Sequence, residues 1–168
     1  METELTISMG GFPQFSARGC EQELIPIDQG EFHRTVNGDL IYLAENLHTK
    51  YKTIIQCVDK SSIATDGLYR GAEVTIGCIQ RLWQKIDQEQ KLVQLDKNPV
   101  VDSVFAQTSD NQTINVLNVN GREVQIEPIY SEGFVCYRPL LKMKVVSYSL
   151  TTNEWGVKVG WKIECEEI

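Results

Sequence analysis

The end of the chain alternates apolar and polar side chains with a period of two. Between residues 157 and 166 one parity is apolar, and its members are Val157, Val159, Trp161, Ile163 and Cys165. The other parity carries Lys158, Gly160, Lys162, Glu164 and Glu166. Because successive side chains of a strand point to opposite faces of a sheet, this pattern predicts a β-strand with one buried face. Such strands are typical of antiparallel sheets that cover a core on one side.

Two Asn-Gly pairs, Asn37-Gly38 and Asn120-Gly121, each lie between β-forming runs. Glycine adopts a positive φ freely and asparagine tolerates it, so each pair predicts a hairpin with a two-residue type I′ turn. Further runs rich in β-branched residues, at 51–58 and 72–79, predict two more strands.

Three local features refine this pattern. The apolar parity changes at Val145-Val146, which predicts a β-bulge or a bend between two sheets. Pro26 interrupts an extended run, and because proline donates no ladder hydrogen bond, it predicts an edge strand. Between residues 79 and 86 the apolar side chains recur at helical spacing, so a short helix is an alternative to a strand there.

Composition divides the chain into three parts. Residues 1–30 contain many chain breakers and predict an irregular N-terminal arm. Residues 84–132 hold seven of the twelve Gln residues and eight acidic against four basic side chains, and they predict an inserted β-arm or subdomain. The remaining residues, 31–83 and 133–168, form the core β module. We therefore expect an all-β protein, an antiparallel β-sandwich or barrel with both hairpins, the arm and the insertion.

The formal net charge of the 168 residues is -7. An acidic chain supplies few cations to neutralise phosphates, so we expect no direct binding of nucleic acid. No run of about 18 apolar residues occurs, so the sequence predicts no membrane span. The N-terminus, Met1-Glu-Thr-Glu-Leu-Thr-Ile-Ser8, lacks the basic and apolar regions of a signal peptide, and we expect synthesis in the cytoplasm.

Residue types that carry chemistry are few and scattered. The five cysteines are widely spaced with no Cys-x-x-Cys pair, which predicts reduced thiols rather than a disulfide framework or a zinc site; they are Cys20, Cys57, Cys78, Cys136 and Cys165. The two histidines, His33 and His48, stand in no metal or general-base motif. We predict no catalytic, cofactor-binding or metal site, and no enzyme.

Three further groups of residues have a structural interpretation. Glu164, Glu166 and Glu167 cluster at the C-terminus, but Glu164 and Glu166 share the polar face of the final strand and are expected to be solvated charges rather than a catalytic pair. Gly67, Gly71 and Gly77 match no phosphate-binding motif and are expected at turns or bulges. Trp161 is expected in the core, whereas a binding module predicts an exposed patch of aromatics such as Tyr69, Phe105 and Trp155.

Several segments together resemble small virion structural proteins of tailed bacteriophages. The similarity to their opening rests on Ser16-Ala-Arg-Gly19, Pro26-Ile-Asp28, Arg34-Thr-Val-Asn-Gly-Asp-Leu40 and Thr65-Asp-Gly-Leu-Tyr-Arg-Gly-Ala-Glu-Val-Thr-Ile76. The similarity to their close rests on Tyr137-Arg-Pro139, Asn153-Glu-Trp-Gly156 and Trp161-Lys-Ile-Glu-Cys-Glu-Glu-Ile168. Residues 84–132 depart from the family, so no role there is transferable from it.

The resemblance implies a non-enzymatic component of the virion, in the tail, the baseplate or the neck, synthesised in the cytoplasm of the host bacterium. The implied partners are other phage structural proteins, and we expect a homo-oligomer that acts through symmetric contacts. The arm before Cys20 and the 84–132 insertion are the candidate contact surfaces. The alternative is a capsid decoration or a β module that binds a host receptor or glycan.

Overall fold

Four antiparallel sheets contain the strands of the residues that the structure describes. The computed structural model describes residues 3–27, 30–44, 49–155 and 157–168. Within these ranges the strands are β1 Thr6–Ile7, β2 Glu21–Pro26, β3 Gly30–Arg34, β4 Leu40–Ala44, β5 Tyr51–Asp59, β6 Glu73–Gly77, β7 Leu82–Ile86, β8 Leu92–Gln94, β9 Phe105–Thr108, β10 Thr113–Ile114, β11 Val116–Asn120, β12 Glu123–Ile126, β13 Gly133–Tyr137, β14 Leu140–Thr152 and β15 Val159–Glu167. The predicted all-β class is confirmed.

The sheets differ in size and in the part of the chain that builds them. The largest has six strands in the order β1-β6-β14-β15-β5-β2. A four-stranded sheet has the order β10-β9-β13-β7, and a three-stranded sheet has the order β11-β12-β8. The hairpin β3-β4 forms a two-stranded sheet.

The first core lies on one face of the six-stranded sheet. Trp161, Ile163 and Cys165 of β15 are buried in it, as their alternation predicts, whereas Val157 precedes the strand and is exposed. Ile163 pairs with Ile55 of β5, which is also buried. Burying a large apolar side chain contributes roughly 1.5 to 3 kcal/mol, so this row is a main source of stability.

The segment before Cys20 packs on the same core. Leu5 and Ala17 are buried, and the ring of Phe12 lies 6.0 Å from that of Trp161. The indole Nε1 of Trp161 donates a hydrogen bond to the carbonyl of Ser16 at 2.6 Å. The described part of the predicted arm is therefore held on its own chain.

Three predicted irregularities can be compared with the pairing. The register of β14 with β15 shifts between Val145 and Ser147, which confirms the bulge. Pro26 ends β2, and β2 is an edge strand. The helix alternative is wrong, because Leu82–Ile86 form β7 and pair with β13. Alternate side chains of β7 lie on opposite faces, so Ile86 is buried while Trp83 is exposed.

Both predicted hairpins are confirmed, but neither has the predicted two-residue type I′ turn. In the first, Thr35 pairs with Asp39 around a three-residue loop, and Gly38 takes a positive φ of 87°. In the second, Asn120 pairs with Glu123, so Gly121 and Arg122 form the turn, and Gly121 has a φ of 58°. In each turn only the glycine has a positive φ. This is the pattern of a type I turn with a bulge in the first hairpin and of a type II′ turn in the second.

A second core lies between the four-stranded and three-stranded sheets. Its buried side chains are Ile86, Val93, Leu95, Ala106, Ile114, Val124, Ile126, Ile129, Val135 and Tyr137. The sheets that build it contain most of the predicted insertion together with β7 and β13, which begin at Leu82 and Gly133.

Arg138 fixes the crossover from the second core to the first. Its Nε donates to the carbonyl of Cys78 at 2.9 Å, and one terminal nitrogen donates to the carbonyl of Glu4 at 2.6 Å. The other terminal nitrogen lies 3.1 Å from the carboxylate of Glu4. Nearby, Lys97 and Glu167 form an ion pair of 2.5 Å between the two parts.

We expect Arg138→Lys to lower the free energy of unfolding by about 1.5 to 3 kcal/mol, the value of one hydrogen bond to a charged group. An ammonium group does not reproduce the planar fork of donors that spans the Cys78 and Glu4 carbonyls. Urea denaturation followed by tryptophan fluorescence measures the change. Arg122→Lys, at an exposed turn, is the control, and an equal effect of both changes would contradict the role of Arg138.

Candidate functional site

The hairpin of β3 and β4 exposes many large apolar side chains. Phe32, Val36, Leu40, Ile41, Tyr42 and Leu43 are each at least 40% exposed. Among the described strands, β3 and β4 pair only with each other. An isolated two-stranded hairpin is marginally stable in water, and a large exposed apolar surface commonly marks an interaction site.

The two faces of the hairpin differ in chemistry. On one face the rings of Phe32 and Tyr42 form a cross-strand pair with centroids 4.9 Å apart, so each aromatic ring shields part of the other. The opposite face carries Ile41 and Leu43, with Glu31 directly across from Leu43. We call this second face, formed by Glu31, His33, Ile41 and Leu43, the aliphatic face.

A groove of about 790 Å³ crosses the outer face of the six-stranded sheet. Its walls include the hydroxyl and amide groups of Ser149, Thr151 and Gln56, and the ammonium groups of Lys158 and Lys162. These side chains suit hydrogen bonding to a polar ligand.

Two thiols, Cys20 and Cys57, lie together beneath the strands β2 and β5. Continuing the register of β2 and β5 by one residue places Cys20 opposite Cys57. Their Sγ atoms donate to the carbonyls of Ala17 and Arg18 at 3.1 and 3.4 Å. Burial, together with the neighbouring Cys20, raises the pKa of Cys57 to about 12, so its thiol stays protonated at neutral pH and is a poor nucleophile.

An ion pair joins Arg18 and Asp59, which are next in the chain to the groove residues Gly19 and Val58. Arg18 donates two side-chain hydrogen bonds to the carboxylate of Asp59, at 2.7 and 3.2 Å, and its backbone N–H donates a third at 3.0 Å. These bonds hold the pKa of Asp59 well below its ordinary value of 3.8. The pair therefore fastens the segment before β2 to the end of β5.

The outer face of the four-stranded sheet carries an aromatic cluster. Trp83 and Phe105 both pair with Cys136, and their rings meet edge to face over it with centroids 5.6 Å apart. Trp83 is 52% exposed and Phe105 is 36% exposed. The guanidinium of Arg81 lies 5.3 Å from the centroid of the Phe105 ring. We call Arg81, Trp83 and Phe105 the aromatic patch.

The structure separates the aromatics that the sequence analysis grouped. Phe105 contacts Trp83, whereas Tyr69 lies near the turn before β6 and Trp155 in the loop between β14 and β15. Trp161 lies in the core, as predicted. The helical spacing of residues 79–86 does not predict the exposure of Trp83, whereas a strand places Trp83 on the parity opposite to Leu82 and Ile86.

The remaining candidates are distributed over the fold. His33 is exposed on the hairpin, 3.3 Å from Glu31, and His48 lies outside the described residues. Cys78 and Cys165 are buried. Gly67 and Gly71 lie in turns, and Gly77 in β6 faces Thr6 across the sheet.

The three C-terminal carboxylates also separate. Glu164 pairs with Lys162 at 2.8 Å, whose hydrogen bond lowers its pKa, and Glu166 is exposed. Glu167 differs from these two, because its side chain is only 13% exposed and pairs with Lys97. Glu167 lies on the same, buried parity as Cys165. The ammonium group of the largely buried Lys97 offsets the cost of burying its carboxylate.

In the described ranges, no group of three or more His, Cys, Asp and Glu side chains has an arrangement that could hold a metal ion. No helix long and apolar enough to cross a membrane occurs in the part of the chain that the structure describes. Comparisons with protein-family models, with curated proteins and with solved structures give no match to this chain.

We expect Asp59→Asn to lower the melting temperature at neutral pH. A carboxylate whose pKa is lowered in the folded state stabilises it above the unfolded-state value and loses this effect as the pH falls. The difference from the wild type should be constant above about pH 5 and should shrink below pH 3.8. Thermal unfolding between pH 2 and 7 measures it, with the exposed Asp66→Asn as control; a difference that persists unchanged at pH 2 would contradict the assignment.

Proposed function

We propose that the protein is a non-enzymatic structural component of a tailed-phage particle, in the tail, the baseplate or the neck. It acts through repeated, symmetric contacts between subunits. The observation that carries the proposal is the β3-β4 hairpin, which presents six large apolar side chains to solvent. The resemblance of the segments around it to phage virion proteins supports the same role.

The hairpin suits assembly for a physical reason. Covering Ile41 or Leu43 with a partner removes apolar surface from water, and each such side chain contributes up to roughly 1.5 to 3 kcal/mol. A particle subunit folds before it assembles, so the surface that it buries later is exposed in the isolated chain. The described part of the N-terminal segment is a weaker candidate for the contact, because Leu5 and Ala17 are buried on their own sheet.

We expect the purified chain to self-associate, and the double variant Ile41→Ser, Leu43→Ser to raise the dissociation constant about tenfold or more. Light scattering coupled to size-exclusion chromatography measures the mass over a range of concentrations. Val101→Ser removes another exposed apolar side chain, at a turn between β8 and β9, and should change nothing. Equal effects of the two variants would contradict a specific role of the hairpin.

The location in a particle has its own test. An antibody against the chain should label the tail, the baseplate or the neck of phage particles made from a genome that encodes it, as seen by immunogold electron microscopy. Label over the capsid surface would favour a decoration protein. Particles that carry no label would contradict the proposal.

The groove on the six-stranded sheet favours a second candidate, a β module that binds a host glycan. Its hydroxyl and amide side chains are groups that hydrogen-bond to sugars. On this hypothesis the wild type binds members of a glycan array, and the double variant Gln56→Ala, Thr151→Ala loses most of the signal. Lys91→Ala, outside the groove, is the control, and binding that survives both groove substitutions would exclude this site.

A further inference from the structure

The aromatic patch lies on the face of the four-stranded sheet that points away from the second core, and such a face is usually polar. The opposite face of the four-stranded sheet covers the second core with Val135, Ala106 and Ile86. The free face of such an antiparallel sheet is usually polar, yet here it exposes Trp83 beside Phe105. Tryptophan and arginine are enriched among the residues that dominate binding energy at protein interfaces, so this face has the composition of an interface.

The charge of the patch is positive and lacks a counter-ion within the described chain. Arg81 donates to the carbonyl of Ser103 at 3.1 Å and lies against the Phe105 ring. No carboxylate in the described ranges forms an ion pair with it. A guanidinium has five N–H donors, so it retains donors for a carboxylate of a partner.

The aliphatic face of the hairpin has the complementary character. Ile41 and Leu43 are 40% and 56% exposed. Glu31 lies directly across from Leu43, and its one ion-pair neighbour among the described residues is His33, which is charged only when protonated. An acidic group beside two aliphatic side chains matches a patch that holds a cation beside two aromatic rings.

The proposed contact covers a face of the hairpin rather than its edge. Pairing of two hairpins edge to edge would leave the faces of both uncovered, so the partner surface must cover a face.

We propose that the aliphatic face of the hairpin of one copy docks on the aromatic patch of a second copy, with Glu31 beside Arg81. The inference rests on the proposed role in particle assembly and names the two surfaces that meet. The contact joins different surfaces on the two copies, so it is heterologous. Repetition of such a contact produces closed rings or helical filaments.

Mixing two variants tests the contact in the full-length chain. The hairpin variant carries Ile41→Ser and Leu43→Ser, and the patch variant carries Trp83→Ser. Each should be monomeric in light scattering at a concentration where the wild type associates. A 1:1 mixture should form a dimer and nothing larger, because the hairpin variant keeps its patch and the patch variant keeps its hairpin. Formation of the dimer also shows that both variants fold.

Exchange of charge tests the same contact without removing apolar surface. Glu31→Lys and Arg81→Glu should each weaken self-association about two- to fivefold, the range for an exposed ion pair. Mixing these two variants should restore part of the affinity between them. The charge variants serve in place of the first pair if Trp83→Ser proves unstable, which circular dichroism and thermal unfolding reveal.

Different failures have different meanings. A patch variant that associates like the wild type, or a mixture that stays monomeric, would overturn the docking site and leave the role in the particle to the immunogold labelling. A wild type that is monomeric at about 1 mM would overturn docking between copies. If either result is obtained while the antibody labels the particles, the contact is wrong and the proposed role in the particle still stands.

Discussion

The arrangement of the two cores depends on the Arg138 guanidinium at the crossover from β13 to β14. The group is planar and permanently charged, and it has lost most of its hydration, so its donors must be satisfied by the protein. The carbonyls of Cys78 and Glu4 satisfy them. The same side chain thereby fixes the end of β6, the N-terminal segment and the crossover in one arrangement. Lys97 and Glu167 add a second charged contact between the regions that form the two cores. The position of each core is therefore fixed relative to the other.

On two surfaces, exposed apolar side chains lie next to one another rather than singly. One is the hairpin, where Leu43 and Ile41 face water beside Glu31. The other is the outer face of the four-stranded sheet, where Trp83 and Phe105 cover Cys136. Scattered apolar residues on a surface need no explanation, but contiguous ones mark contacts. A subunit that assembles by a heterologous contact needs two different surfaces, and the hairpin and the aromatic patch are such a pair.

Local sequence patterns predict much of the fold, and the predictions that fail do so for identifiable physical reasons. The final strand, the bulge at Val145 and the edge position of Pro26 are predictable because side-chain parity and proline chemistry act within a few residues. The turn types are not, because the register of the flanking strands decides which residues are central, and in the second hairpin this moves Asn120 out of the turn. The helix alternative near Leu82 fails for a related reason: pairing with β13 overrides a weak local periodicity.

The sequence by itself determines that this chain forms antiparallel strands with one buried face, because period and turn chemistry are local properties. It also supplies the resemblance from which the role in a phage particle is proposed. Only the tertiary structure decides which apolar residues stay in water. Leu43 occurs in the apolar run Leu40-Ile-Tyr-Leu-Ala44, which resembles a core segment, and its exposure depends on which other strands cover it. Contacts between residues far apart in the chain make that choice, so the candidate interface is visible only in the folded molecule.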